Sequence, residues 1–247
     1  MYENWHSSWL REKACNEVMK QIGAEDRNTN YICIGPVNKT LNMLCVYYHN
    51  GPESTEFQNH VARLDDYLWM GVDGMKMQGY NGSQLWDSAF SGQAIIHGGL
   101  VSKYSDMMQQ LYSYLDVTQV KEEVQDPNRY YRHVSVGAWP FSTRDHGWPI
   151  SDCTAEGLKT VLALNNMPEE FTPTNRISDK RLFDAVNVIL SLQNKCGGWA
   201  TYELQRTSGW LESINPSETF HGIMVDYPYV ECSSACIQAL RMFQKYY

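Results

Sequence analysis

The sequence has no C-x-x-C pair: its seven cysteines stand scattered at positions 15, 33, 45, 153, 196, 232 and 236. That spacing offers no zinc ribbon or redox dithiol and points to reduced thiols in an intracellular chain. There is no basic block either. Twenty Lys and Arg face 28 Asp and Glu, giving a net charge of −8, which argues against a nucleic-acid partner. No apolar run reaches the roughly eighteen residues needed to span a bilayer, and no secretory leader is visible. Monotopic attachment to one leaflet stays open. Alternating stretches long enough for a sheet are missing, as are exact repeats and low-complexity linkers.

What is present is a helical pattern heavily loaded with aromatics: 16 Tyr, 8 Trp and 7 Phe, many beside Gly and Pro. Leu10, Ala14, Val18 and Ile22 predict a helix capped by Ser8 and stopped by Gly23. Val37, Leu41, Leu44, Cys45 and Tyr48 predict a second, and Phe57, Val61, Leu64 and Leu68 a third. A Gly-rich loop is expected from Gly71 to Gly82. A fourth helix, from Ser83 to His97, is expected to bury Trp86, Phe90 and Ala94. Further helices are expected over 102–115, from Ser151 to about Asn165, after Ser178, and from Glu231 onward. The fold class is therefore all-α, helical hairpins joined by long loops. Loops of this length in a compact domain usually carry function.

The chemistry centres on Trp148-Pro149-Ile150-Ser151-Asp152-Cys153-Thr154-Ala155-Glu156. Asp152 falls where a helix begins, so its simplest role is an N-cap. A carboxyl there, with thiol donors nearby, also has a stabilised conjugate base. Its protonated form is then a sharper acid, provided something keeps it protonated. A loop histidine such as His146 is by default structural. Trp86 reads equally as core.

Several stretches together resemble the oxidosqualene cyclases. They are Gln78 to Asp87 (QGYNGSQLWD), Gly137 to Thr143, Ser151 to Glu156, Leu192 to Glu203 (LQNKCGGWATYE) and Asp226 to Cys232 (DYPYVEC). The resemblance runs in order from about residue 10 to the end and covers a middle portion of a family chain. It implies that residues 1–247 are part of an (α/α)-barrel catalytic domain, with 1–35 at a junction to an amino-terminal domain. The implied reaction is acid-initiated cyclisation of (3S)-2,3-oxidosqualene, with no cofactor and no metal. The implied setting is peripheral attachment of the full protein to the endoplasmic reticulum membrane or a lipid droplet.

By the same resemblance Asp152 is the general acid, with Cys153 and Cys232 as the thiols that hydrogen-bond it. Trp86, Phe141 and Tyr202 map onto the cation-stabilising cavity aromatics, and Ile223 onto the substrate channel. Tyr80, His146 and Ile150 match the trio of cycloartenol-forming members; lanosterol-forming members usually differ at one or more of these. Hopene cyclases use an Asp-x-Asp-Asp cluster, whereas Ile150-Ser151-Asp152-Cys153 offers a single carboxylate, which favours an epoxide substrate. Cys196 and His221-Gly222 depart from the family pattern. The portion by itself is expected to be inactive, because part of the cavity wall lies elsewhere in a family chain.

Two other readings compete. A protein prenyltransferase β-subunit would hold zinc with Asp152, Cys153 and His146, although adjacent Asp and Cys are an awkward ligand pair for one tetrahedral ion. A non-catalytic helical scaffold would need a regular repeat.

Overall fold

A computed structural model describes residues 6–79, 82–215 and 224–247. The chain divides into two compact units, one up to Gly82 and one from Ser83. The all-α expectation holds for both, with one small exception in the first.

The first unit contains α1 (Ser8–Asn28), α2 (Pro36–Asn50), α3 (Thr55–Ala62), β1 (Leu68–Gly71) and β2 (Gly74–Met77). Helix α1 is capped by Ser7, whose Oγ accepts the Leu10 N–H at 3.5 Å, one residue before the expected cap. It runs straight through Gly23. A lone glycine weakens a helix without ending it, and the stop comes where Asn30 and Tyr31 turn to positive φ. Helix α3 ends at Ala62, short of Leu68. The expected Gly-rich loop instead holds an antiparallel hairpin, with Leu68 opposite Met77 and Gly71 opposite Gly74. Its strand residues are exposed or half-buried on both faces, so no alternation could mark them.

The expected stripe on α2 also fails. Val37, Leu41, Leu44 and Tyr48 are exposed, while Pro36, Lys39 and Val46 are buried. The reason is polar. The Lys39 ammonium donates to the Tyr31 carbonyl at 2.8 Å and the His60 carbonyl at 2.7 Å, and lies 3.0 Å from His60 Nδ1. Across the ring, His60 Nε2 lies 3.1 Å from Asp26 Oδ2. A buried cation thus reaches a buried anion through an imidazole, and that network orients α2.

The second unit contains α4 (Gln84–His97), α5 (Ser105–Thr118), α6 (Ser151–Asn165), α7 (Asp179–Ser191) and α8 (Val230–Tyr246). Helix α6 is buried from Ser151 through Leu162, packed between α4, α7 and α8. Burial all round requires small residues. A Cβ on Gly157 would lie 2.9 Å from the Trp139 ring. Trp139 is itself fully buried, and its Nε1–H donates to the Leu115 carbonyl at 2.9 Å.

Helix α4 corrects the expected face. Leu85, Ala89 and Gly92 are its buried residues, whereas Trp86 is half-buried and Phe90 and Ala94 are exposed. Leu182, Ala185, Val186 and Ile189 of α7 are buried as their spacing predicts, and so are Ala235 and Ala239 of α8.

Candidate active site

The loops that precede α6 and follow α7 meet the amino-terminal end of α6. Ile150 is extended (φ −129°, ψ 127°) and occupies the cap position, so Ser151 opens the helix and Asp152 is its second residue. This corrects the simple N-cap role. Asp152 still serves the helix end, because its Oδ1 accepts the Cys153 N–H at 2.8 Å. The Ser151 N–H donates to the Thr201 carbonyl at 2.9 Å, and the Ser151 hydroxyl to the Ala200 carbonyl at 2.6 Å. The Gly198–Tyr202 segment is thereby seated on the start of α6.

Helix α8 completes the arrangement. Cys232 and Cys236, one turn apart, both face α6. The Cys232 thiol donates to Asp152 Oδ2 at 3.4 Å, and the Cys236 thiol to the Ser151 carbonyl at 3.6 Å. Asp152 is 8% exposed, Cys153 is fully buried and Cys232 is 3% exposed.

Burial is the largest influence on Asp152 and raises its pKa above the ordinary carboxylate value. The hydrogen bonds from Cys232 and the Cys153 backbone pull the other way, and the nearby Glu231 charge adds to the rise. The sequence led us to expect a net sharpening by donors. The balance is instead a carboxyl whose pKa is raised by desolvation, a rise moderated by donors. Burial, with the Asp152 charge second, pushes the Cys232 thiol up to about 12, so it stays a donor at neutral pH. Cys153 is held well above its usual value for the same two reasons.

The aromatic positions form two groups. The Trp86 and Phe141 ring centroids lie 6.1 Å apart, and the backbones interlock, with Leu85 and Trp86 N–H donating to the Ser142 and Phe141 carbonyls. Those bonds satisfy orphan donors at the start of α4. Tyr202 sits edge-to-face with Trp148 at 6.2 Å. Its backbone is fixed by Asp226, whose carboxylate accepts the N–H groups of Thr201, Tyr202 and Glu203 at 3.4, 2.7 and 3.1 Å. His146 and Ile150 are buried on either side of Trp148. Tyr80 and Ile223 lie outside the described residues, as do His221 and Gly222.

Asp226, Trp148 and Cys236 are neighbours of this site that sequence reasoning missed. Asp226 opens the quoted DYPYVEC stretch, and a single loop carboxylate accepting backbone N–H groups has no periodic signature to betray it. The zinc alternative gains nothing at Asp152. Among the described residues, three ligand-type atoms converge within 4.8 Å only at Asp26, Cys33 and His60. There the Lys39 ammonium sits on His60 Nδ1, which leaves the ring proton on Nε2, facing Asp26. A protonated Nε2 offers no lone pair to a metal, so the cluster is a closed hydrogen-bond network.

Residues 82–246 match the family described as the squalene-hopene cyclase C-terminal domain. The chain belongs to the oxidosqualene cyclase family. The helices of residues 82–246 are accordingly those of the (α/α) barrel of the terpene cyclases. It is 56% identical over 245 residues to a cycloartenol synthase of Dictyostelium discoideum, covering 99% of this chain and 34% of that protein. Human lanosterol synthase is 49% identical over 249 aligned positions, with 99% and 34% covered. An α-onocerin synthase of Lycopodium clavatum is 40% identical over 246, with 99% and 32% covered. The chain therefore spans about a third of the length of these relatives.

Proposed function

We propose that this chain is the acid-bearing part of an oxidosqualene cyclase that converts (3S)-2,3-oxidosqualene to cycloartenol. The observation that carries the reading is the buried Asp152 carboxyl, with the Cys232 thiol donating to its second oxygen and burial raising its pKa. An epoxide is a poor base and needs a strong, fully protonated acid at close quarters. Asp152 gives its proton to the epoxide oxygen, the C–O bond breaks, and the resulting cation is attacked by the neighbouring alkene. Thiols suit the second contact because they donate without competing as bases.

General acid catalysis supplies about 10²–10⁴-fold, so the cavity must supply the rest. Carboxylates would quench the cations. Aromatic faces attract a cation at roughly 0.5–2 kcal/mol each without offering a reactive lone pair. Trp86, Phe141 and Tyr202 take that role, with Ile223 at the channel. Tyr80, His146 and Ile150 place the final deprotonation that closes a cyclopropane ring. The trio, and the 56% identity to a cycloartenol synthase, favour cycloartenol.

The second reading is lanosterol as product, supported by the 49% identity to the human enzyme. On either reading residues 1–247 are a portion of the catalytic domain, with residues 1–35 at its junction with an amino-terminal domain, and this portion alone is inactive. The water-insoluble substrate places the whole protein on the endoplasmic reticulum membrane or a lipid droplet as a monotopic protein. Among the described residues no helix is long and apolar enough to cross a membrane.

The complete reading frame, expressed in a host lacking its own cyclase, tests this by gas chromatography–mass spectrometry. Cycloartenol is the expected product. Lanosterol would sink the assignment to Tyr80, His146 and Ile150, and no cyclised product from a folded protein would overturn the reading.

A further inference from the structure

The segment Tyr131-Arg132-His133 lies in the long loop before α6, and its successive residues reach in two directions. Arg132 is 7% exposed. Its guanidinium carbon lies 3.7 Å from the Trp148 ring centroid, a stacked cation–π contact, and Nη2 donates to the Gly147 carbonyl at 2.9 Å. Gly147 has φ +66° and closes the short helical turn Arg144–His146. Arg132 therefore grips the two residues that follow His146 and precede the Pro149-Ile150 entry to α6.

On the other side, His133 Nε2 lies 2.9 Å from Arg206 Nη2 and accepts the Leu204 N–H at 3.4 Å. Arg206 Nη2 also donates to the Tyr131 carbonyl at 2.7 Å. Burial, then the charges of Arg206 and Arg132, hold His133 below the usual imidazole value, so its Nε2 stays an acceptor. These bonds attach the same strap to the loop that carries Tyr202. The two loops meet again where the Trp148 and Tyr202 rings pack edge-to-face.

We propose that Arg132 is a positioning residue for product choice: through this strap it fixes the His146–Ile150 turn relative to the Tyr202 loop. The proposal rests on the cyclase reading given above. Product identity in a cation cascade depends on where the last cation sits when a base takes its proton. A shift of a fraction of an ångström in the turn redirects that step while leaving Asp152 and its proton untouched. A planar, delocalised guanidinium is suited to the task, since it stacks and donates in one plane; an ammonium cannot do both.

The test compares wild-type, Arg132→Gln, Arg132→Lys and Arg206→Gln forms of the complete enzyme for initial rate and full product distribution. Arg132→Gln is expected to lower the share of the main product at least threefold in favour of other cyclised sterols, while substrate consumption falls less than tenfold. Arg132→Lys restores part of the share, and Arg206→Gln moves it in the same direction from the far end of the strap. The Arg206 variant decides the matter should Arg132→Gln fail to accumulate. An unchanged product ratio in active variants would overturn the proposal, even with a lower melting temperature, because a merely structural residue lowers the amount of enzyme and not its selectivity. Absence of any cyclised product from the wild type would overturn the cyclase reading itself, and this proposal with it.

Discussion

The Cys232 thiol and the Asp152 carboxyl lie 3.4 Å apart on two different helices, α8 and α6, with the thiol donating to Oδ2. Burial holds the carboxyl neutral at pH values where an exposed aspartate is ionised, and an ionised Asp152 would push the thiol further from ionising. Burial thus favours the protonated form of both groups, while the thiol's hydrogen bond moderates the rise at the carboxyl.

The Asp152 proton gives a signed pH dependence. Its folded pKa is raised, so the native state binds the proton more tightly than the unfolded chain. That stability contribution is fully present below the ordinary aspartate value and is lost as pH rises through the raised one. Activity of the complete enzyme should fall over the same alkaline limb, because only the acid form reacts. An Asp152→Asn variant should lose this part of the pH dependence of stability, measured by urea unfolding across pH.

Removing the thiol donor should weaken the acid. Cys232→Ala leaves Oδ2 without that hydrogen bond, raises the Asp152 pKa further and is expected to slow turnover about tenfold, the equivalent of one ordinary hydrogen bond. The alkaline limb should move to higher pH. Cys232→Ser keeps a donor and should recover most of the rate. Equal rates for the Ala and Ser variants would count against the contact.

Asp226 is expected to hold the Tyr202 loop. Asp226→Ala strands three backbone N–H groups that now share one carboxylate. Amide hydrogen exchange at Thr201, Tyr202 and Glu203 should accelerate by at least tenfold, while amides in the middle of α7 stay protected. Uniform acceleration across both regions would mean global destabilisation instead.

Gly137 is a backbone requirement. It has φ +98°, and an added Cβ would lie 2.4 Å from the Asp184 carbonyl carbon in α7. Gly137→Ala should lose about 3 kcal/mol or more through strain and displaced packing, read by thermal unfolding.

In the first unit, Lys39→Met should cost about 3–5 kcal/mol, because the Asp26 charge would remain buried without the cation that reaches it through His60. Chemical denaturation of the variant beside Lys39→Met/Asp26→Asn measures this. The double variant should recover much of the loss.

The site was legible where chemistry needs rare residues in a fixed local order. Asp152 and Cys153 stood out because a carboxyl beside a thiol at a helix start suits acid chemistry, whereas Cys232 came only through the family resemblance; the structure brings its thiol to the Asp152 carboxyl. The α7 stripe was legible because burial on one face leaves a helical period. Lys39 and His60 left none: a buried lysine looks like a surface lysine until its three acceptors are placed around it. Trp86 and Phe90 misled the α4 face because large aromatics outweigh Leu85, Ala89 and Gly92 in any apolar pattern, although small residues permit the closer approach. The hairpin at Leu68 to Met77 escaped notice because neither face is buried. The split after Gly82 carries no composition shift.

The most direct test of the central claim is the turnover of 2,3-oxidosqualene by the complete enzyme with Asp152 replaced by Asn, beside wild type at equal folded concentration. Loss of at least about 100-fold, with the melting temperature within a few degrees of wild type, is the expected result. Turnover within threefold of wild type would contradict it, since no proton would then need to come from Asp152.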